Sequence, residues 1–273
     1  MKQSFLFMSV VATLILWGCA KADKSVTETP SDGYQLVWSD EFNYNGLPDS
    51  SKWSYDVGGG GWGNNEAEYY TKARLKNSEV KGGYLYINAI KEDFEGKKYT
   101  SARLVTQKKG DWLYGRIEVR AKLPDGTGMW PAIWMLPTDW IYGGWPDSGE
   151  IDIMENLGYI PYWIVATVQT KSYNAVLGTQ KTAITNIPDC YSEFHIYKLE
   201  WEASEIRVYV DSQLYLTFKN EGTGFEVWPF DKRFHLLLNV AVGGIYGGAK
   251  GIDDSIFPRS MVVDYVRVYQ KVN

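Results

Sequence analysis

Ser148-Gly149-Glu150-Ile151-Asp152-Ile153-Met154-Glu155-Asn156 sets three acids into an apolar run. Glu150 to Ile153 alternate polar and apolar, the period of a strand with one buried and one open face, so Glu150 and Asp152 stand side by side on the open face. Glu155 breaks the alternation. In a regular strand it would point into the core, where an unpaired carboxylate is very costly. A β-bulge at Met154 absorbs one residue and returns Glu155 to the open face, giving Glu-x-Asp-x-Glu on one surface.

With the bulge, the glutamate α-carbons lie about four strand steps, roughly 13 Å, apart. Side chains leaning inward across Asp152 then bring their carboxyls to roughly 5 Å, the separation that retaining glycoside hydrolysis requires of its nucleophile and general acid/base. Asp152 adds a like charge and a hydrogen-bond partner, so the three groups titrate together and one glutamate keeps its proton near neutral pH. A solvated acidic face, or a cation site of three carboxylates, is the competing reading. Neither requires a bulge, and neither explains the tryptophans on both flanks.

Outward from this segment the pattern is strand throughout. Arg116 to Leu123 alternates strictly, with Arg116, Glu118, Arg120 and Lys122 outward. Ile206 to Phe218 reads as two strands meeting at Asp211-Ser212, and Tyr84–Ile90, Tyr197–Trp201, Phe234–Val240 and Met261–Tyr269 are further strands. No stretch sustains a 3.6-residue period, and 27 glycines and 10 prolines punctuate the turns. An antiparallel β-sandwich follows.

A net charge of −5 and the absence of any Lys/Arg run argue against nucleic acid. Twelve tryptophans and 20 tyrosines exceed what core packing usually takes, and flat rings are platforms for the C–H faces of sugars. Gly58 to Gly61 lacks the Lys-Ser/Thr of a phosphate loop and runs into Trp62, so it is a turn framing a cleft. His195 and His235 are the only histidines, too few for a histidine-rich metal site. In Trp130-Pro131-Ala132-Ile133-Trp134, the residues Trp130, Ala132 and Trp134 share a face, so two indoles floor the groove. Asn239, embedded in Leu236 to Val242, must find polar partners and is read as a cleft-facing amide.

Several ordered blocks resemble glycoside hydrolase family 16, in its laminarinase-like branch: Leu36-Val37-Trp38-Ser39-Asp40-Glu41-Phe42, Gly61-Trp62-Gly63-Asn64-Asn65-Glu66, Thr100-Ser101-Ala102-Arg103-Leu104, Trp130 to Leu136, Gly149 to Asn156, and Val263-Asp264-Tyr265-Val266-Arg267-Val268-Tyr269. The likeness spans roughly residues 34 to 270. It implies an all-β, curved antiparallel β-jelly roll with a concave substrate cleft. It also implies a retaining, endo-acting β-glycosidase that needs no catalytic cofactor, with Glu150 as nucleophile, Glu155 as acid/base and Asp152 supporting Glu150. By the same resemblance Trp130 and Trp134 line sugar subsites, Trp145 sits in the loop before the catalytic strand, and Asn65 and Arg103 hydrogen-bond sugar hydroxyls on the non-reducing side. A structural calcium would fall to Glu41, the Gly83 carbonyl and Asp264. The chain departs from the family where members commonly read His-Gly/Ala-Thr-Val-His, for here the residues are Val165-Ala166-Thr167-Val168-Gln169. Positions 165, 167 and 169 share a strand face, so Val165 and Gln169 rebuild one cleft wall.

Residues 1–18 carry an apolar run from Phe5 to Trp17, shaped like a secretory h-region, and Leu16-Trp17-Gly18-Cys19 resembles a bacterial lipobox. A lipid on Cys19, a polar tether over 19–33 and one catalytic domain over 34–273 are expected, placing a monomeric enzyme on the envelope of a Gram-negative bacterium, at its outer membrane or surface. Only Cys190 then remains, so the domain is stable without an internal disulfide. The sequence points to cleavage of β-1,3- or mixed-linked β-glucan. An endo-β-galactosidase acting on poly-N-acetyllactosamine of mucin, keratan or another galactan, and a non-catalytic glycan-binding lipoprotein, are the alternatives.

Overall fold

The computed structural model describes residues 33–272. The expected signal peptide, the expected lipidation site Cys19 and the expected tether up to residue 32 lie outside them. In chain order the strands are β1 (Tyr34–Asp40), β2 (Ser54–Asp56), β3 (Glu68–Tyr70), β4 (Ser78–Lys81), β5 (Tyr84–Phe94) and β6 (Lys97–Ser101). Then come β7 (Arg103–Val105), β8 (Asp111–Trp112), β9 (Gly115–Lys122), β10 (Met129–Pro137), β11 (Glu150–Asn156) and β12 (Trp163–Gln169). The last six are β13 (Lys181–Asn186), β14 (His195–Trp201), β15 (Glu205–Val210), β16 (Gln213–Lys219), β17 (Phe234–Val242) and β18 (Arg259–Lys271). One four-residue helix, α1 (Gly244–Gly247), and one 3-10 turn complete the described elements.

Two sheets pack face to face. The outer sheet runs β16-β15-β14-β9-β18-β5-β6-β3, with β1 on β18 and β4 on β5. The acid-bearing sheet runs β13-β12-β11-β10-β17-β7-β2, with β8 on β17. Pairing is antiparallel except between β3 and β6, which are parallel. The strict alternation over Arg116–Lys122 appears as a strand whose every second residue is buried, and the 206–218 segment is the β15–β16 hairpin, with Asp211 at φ 53°.

Between the sheets, Ile133, Met135, Ile151, Ile153, Met154, Val168, Leu236, Leu238 and Val240 meet Ile117, Val119, Tyr197, Leu199, Val208, Val263 and Val266 in one core. All nine residues of β17 are buried. One face belongs to this core, and the other is covered by side chains of β10 and β7, where the cleft floor forms.

Candidate active site

The β11 bulge is present, one residue wider than expected. Against β10 the register passes from Trp134↔Asp152 to Ile133↔Met154, leaving Ile153 as the extra residue; against β12 it passes from Asp152↔Thr167 to Glu155↔Val165. Ile153 and Met154 both point into the core, so the irregularity occupies the pair and not Met154 alone. The Ile153 carbonyl that leaves the ladder is satisfied by the Tyr215 hydroxyl, which donates to it at 2.9 Å from the opposite sheet. Gly149 sets the entry to the strand at φ 86°, where a Cβ would lie 2.7 Å from Pro229 and 2.9 Å from Phe230.

Register places Glu155 on a line that crosses the whole sheet: Asp56↔Arg103↔Asn239↔Ala132↔Glu155↔Val165↔Ile184. A parallel line carries Trp134↔Asp152↔Thr167↔Thr182, and Glu150 faces Gln169. All three acids therefore share one face.

Their surroundings differ. Gln169 Nε2 donates to Glu150 Oε1 at 2.7 Å, and its own Oε1 is fixed by the Ala175 N–H at 3.1 Å. Trp145 and Asp152 also donate to Glu150, and the Arg103 charge acts on it. Burial nevertheless pushes the Glu150 carboxyl up to about 7. Glu155, also pushed up to about 7 by burial, has a single donor, Trp130 Nε1 at 2.8 Å, and feels the charge of Glu150. Asp152 is held well above the usual carboxylate range by burial and by both neighbouring glutamates, and it hydrogen-bonds Glu150. The three titrate as a set. Within it, three donors and a guanidinium favour the anion on Glu150, while Glu155 is the better place for the proton.

The polar half of the cleft is a stacked and bonded floor. The Arg103 guanidinium lies 4.7 Å from the Trp62 ring centroid and 4.6 Å from that of Trp134, and Nε sits 3.0 Å from Asp56. Trp134 Nε1 donates to Asn239 Oδ1 at 2.7 Å, Asn239 Nδ2 to Tyr70 Oη at 3.0 Å, and Tyr70 Oη to Glu66 at 2.9 Å. Asn239 lies on the same sheet face as Glu155, as a cleft-facing amide would, but its amide is buried and taken up by Trp134 and Tyr70. Trp130 is likewise largely buried, its indole turned to Glu155, whereas Trp145 is 42% exposed at the rim. Asn65 is exposed, at φ 56°, in the turn closed by the N–H groups of Asn64 and Glu66 on the Gly61 carbonyl.

Residues 64–266 match the sequence profile of the glycosyl hydrolases family 16. A β-glucanase of Rhodothermus marinus is 50% identical over 100% of this chain and 96% of its own. The chain belongs to glycosyl hydrolase family 16. The crystal structure of the laminarinase from Rhodothermus marinus superposes with TM-score 0.87 at 54% identity, covering 88% of this chain and 98% of that one. A mutant of SCLam, a non-specific endo-β-1,3(4)-glucanase of the family, superposes with TM-score 0.85 at 47% identity, covering 89% and 96%, and presents a 1,3-β-D-cellobiosyl-glucose at its active site. A keratan-sulfate endo-1,4-β-galactosidase of Sphingobacterium multivorum is more distant, 34% identical over 97% of this chain and 67% of its own. The two-sheet fold is the family-16 jelly roll.

The calcium expectation at Glu41, the Gly83 carbonyl and Asp264 finds no support in this family-16 chain. Glu41 is gripped by Arg267 through two hydrogen bonds of 2.8 Å, and Asp264 by Arg120 at 2.7 Å. A dication there would have to displace guanidinium partners from both carboxylates. Among the described residues no group of three or more His, Cys, Asp or Glu side chains is placed to hold a metal.

Sequence reasoning missed Tyr70, Glu66, Tyr215 and Tyr246. Tyr246 stands in α1 with its ring edge-on to Trp130, centroids 5.5 Å apart, and burial together with the Glu155 charge pushes its hydroxyl up to about 12. Its place two residues after Gly243-Gly244 was the available signal. Tyr215 offered none, since it belongs to the opposite sheet.

Proposed function

We propose that this family-16 enzyme is an endo-acting, retaining β-glucanase that cuts internal β-1,3 linkages of β-1,3- or mixed-linked β-1,3-1,4-glucan. The observation that carries the reading is the unequal support of two buried glutamates on one face: Glu150 has three donors and a nearby cation, Glu155 one donor. Glu150 attacks the anomeric carbon as Glu155 passes its proton to the glycosidic oxygen; the C–O bond breaks and the reducing-side sugar leaves neutral. Glu155, now a carboxylate, takes a proton from water, whose oxygen displaces Glu150 and restores the β configuration. Asp152 is a positioning residue hydrogen-bonded to Glu150. Arg103, Trp62, Trp134 and Asn65 are assigned to the glycone side, with Asn239 acting through Trp134.

Close likeness to glucanases supports glucan over galactoside, and the galactosidase among the relatives is the more distant one. The test is a digest of laminarin, lichenan, agarose, keratan and mucin, with product lengths resolved and early product followed by proton NMR. Laminarin and lichenan should yield oligosaccharides that appear first as the β-anomer. Initial α-anomer, release of monosaccharide alone, or cleavage confined to galactosides would overturn the reading. We also propose that Cys19 carries a lipid anchor, which mass spectrometry of the N-terminal peptide from membrane-associated enzyme tests.

A further inference from the structure

Two β-bulges meet between the sheets. On β11 the extra residue against β10 is Ile153; on β16 the register against β15 passes from Val208↔Leu216 to Tyr209↔Leu214, so Tyr215 is the extra residue there. Regular alternation would turn Tyr215 to the face opposite Leu216. Instead it packs against the core beside the buried Leu216, and Leu214 is left 47% exposed. Turned inward, the ring reaches across to the other sheet, where its hydroxyl donates to the Ile153 carbonyl at 2.9 Å. The displaced residue of one bulge caps the displaced residue of the other.

Ile153 lies between the two glutamates and has no register partner on either neighbouring strand: β10 pairs with Asp152 and Met154, and β12 with Asp152 and Glu155. The bulge is what returns Glu155 to the face of Glu150, and a slip of one residue would turn its carboxyl toward the core. Ladder bonds do not fix Ile153, so the Tyr215 hydroxyl is the contact that does. Burial, and then the charges of Glu155 and Asp152, hold that hydroxyl far above its ordinary value, so it remains a donor at every pH where the carboxyls titrate.

We infer that Tyr215 is a positioning residue for the general acid: by capping the Ile153 carbonyl it pins the β11 bulge, and the pinned bulge sets Glu155 opposite Glu150. This rests on Glu155 being the general acid. Glu155 is faced by Glu150 and Asp152 from its own strand, by the Trp130 indole from β10 and by the Tyr246 hydroxyl from α1, while β12 presents Val165. Tyr215 acts from behind the strand, on the core side, and reaches no sugar. Its loss therefore falls on proton transfer and not on substrate binding.

The test is Tyr215→Phe, which keeps the ring and deletes the donor, assayed well below its Tm. On laminarin kcat should fall about tenfold with KM unchanged. The basic limb of the pH profile reports Glu155, whose proton is held by burial; a loosened bulge admits water, so the limb should move to lower pH. β-Laminaribiosyl fluoride releases fluoride without a proton from the enzyme, and its kcat/KM should fall no more than about threefold. Replacing Tyr215 by p-aminophenylalanine restores a donor and should restore both kcat and the limb. A lowered Tm with kcat and the limb at their wild-type values would make Tyr215 a brace of the fold alone and overturn the inference, as would equal losses on both donors or a failed rescue. One readout is independent of turnover. In enzyme labelled with carbon-13 at the glutamate carboxyls, the Glu155 signal, assigned by its loss in Glu155→Gln, should titrate at lower pH in Tyr215→Phe; an unmoved titration overturns the inference. A moved titration in an enzyme that cuts no β-glucan would leave the positioning role standing and remove the glucanase reading.

Discussion

The two halves of the cleft are built on one sheet and end on opposite chemistry. On the β7–β10 side every large side chain is tied: Arg103 is clamped between Trp62 and Trp134, and Trp134, Asn239, Tyr70 and Glu66 form one hydrogen-bonded chain. On the β12–β13 side Val165, Ile184 and Trp163 contribute packing surface to an open recess. A chain of directional bonds holds donors where sugar hydroxyls can be discriminated, and apolar contact gives adhesion with little discrimination.

The largest expected effect tests the point where the halves meet. Glu150→Gln should fold normally and lose at least ~10³-fold in kcat, and azide should restore turnover to Glu150→Ala as an inverted glycosyl azide. Near wild-type turnover in Glu150→Gln would remove the distinction between the two glutamates.

Next is the polar half itself. Arg103→Met should lower kcat/KM about 10²-fold through lost positioning, and it should shift the pH profile in a stated direction. Arg103 lowers the pKa of Glu150, so removing it raises that pKa. Because the nucleophile must be ionised, the acidic limb should move to higher pH. A limb that stays in place, or moves down, would show that Arg103 does not act on Glu150.

Asn239→Leu removes the acceptor of the half-buried Trp134 N–H and the donor to the buried Tyr70 hydroxyl, which keeps its bond to Glu66. Denaturant unfolding should show a loss of about 2–3 kcal/mol, and KM for laminarin should rise more than kcat falls. A stability loss without any KM change would separate the network from sugar binding.

The smallest effect probes how the floor is anchored. Glu68 is fully buried, accepts the Val242 N–H at 2.7 Å, and is held well above the usual range by burial and by Glu66, to which it donates. A carboxyl whose folded pKa exceeds its unfolded value stabilises the fold below the unfolded value and loses that contribution as pH rises toward the folded one. Glu68→Gln keeps both hydrogen bonds without titrating, so its Tm should gain on wild type as pH rises above the ordinary carboxylate range, on the order of 2–4 °C. A difference independent of pH would mean that Glu68 is already ionised in the fold.

The sequence by itself determined the strand pattern and the active face. Period-two alternation over Arg116–Lys122 and Glu150–Ile153 is local information, and the cost of burying Glu155 forces a bulge whatever the partner strands are. Composition excluded nucleic acid for an equally local reason, since net charge needs no fold. The fate of Asn239 was decided only by tertiary structure. An amide in an apolar run has to be satisfied, and whether by sugar or by protein depends on Trp134 and Tyr70, one on the adjacent strand and the other on a distant one. Glu41 and Asp264 meet arginines for the same reason. The bulge carbonyl finds Tyr215, 62 positions along the chain and in the other sheet. The apolar half of the cleft is tertiary as well: Val165 and Ile184 are ordinary strand residues in sequence, and only antiparallel register sets them in line with Glu155.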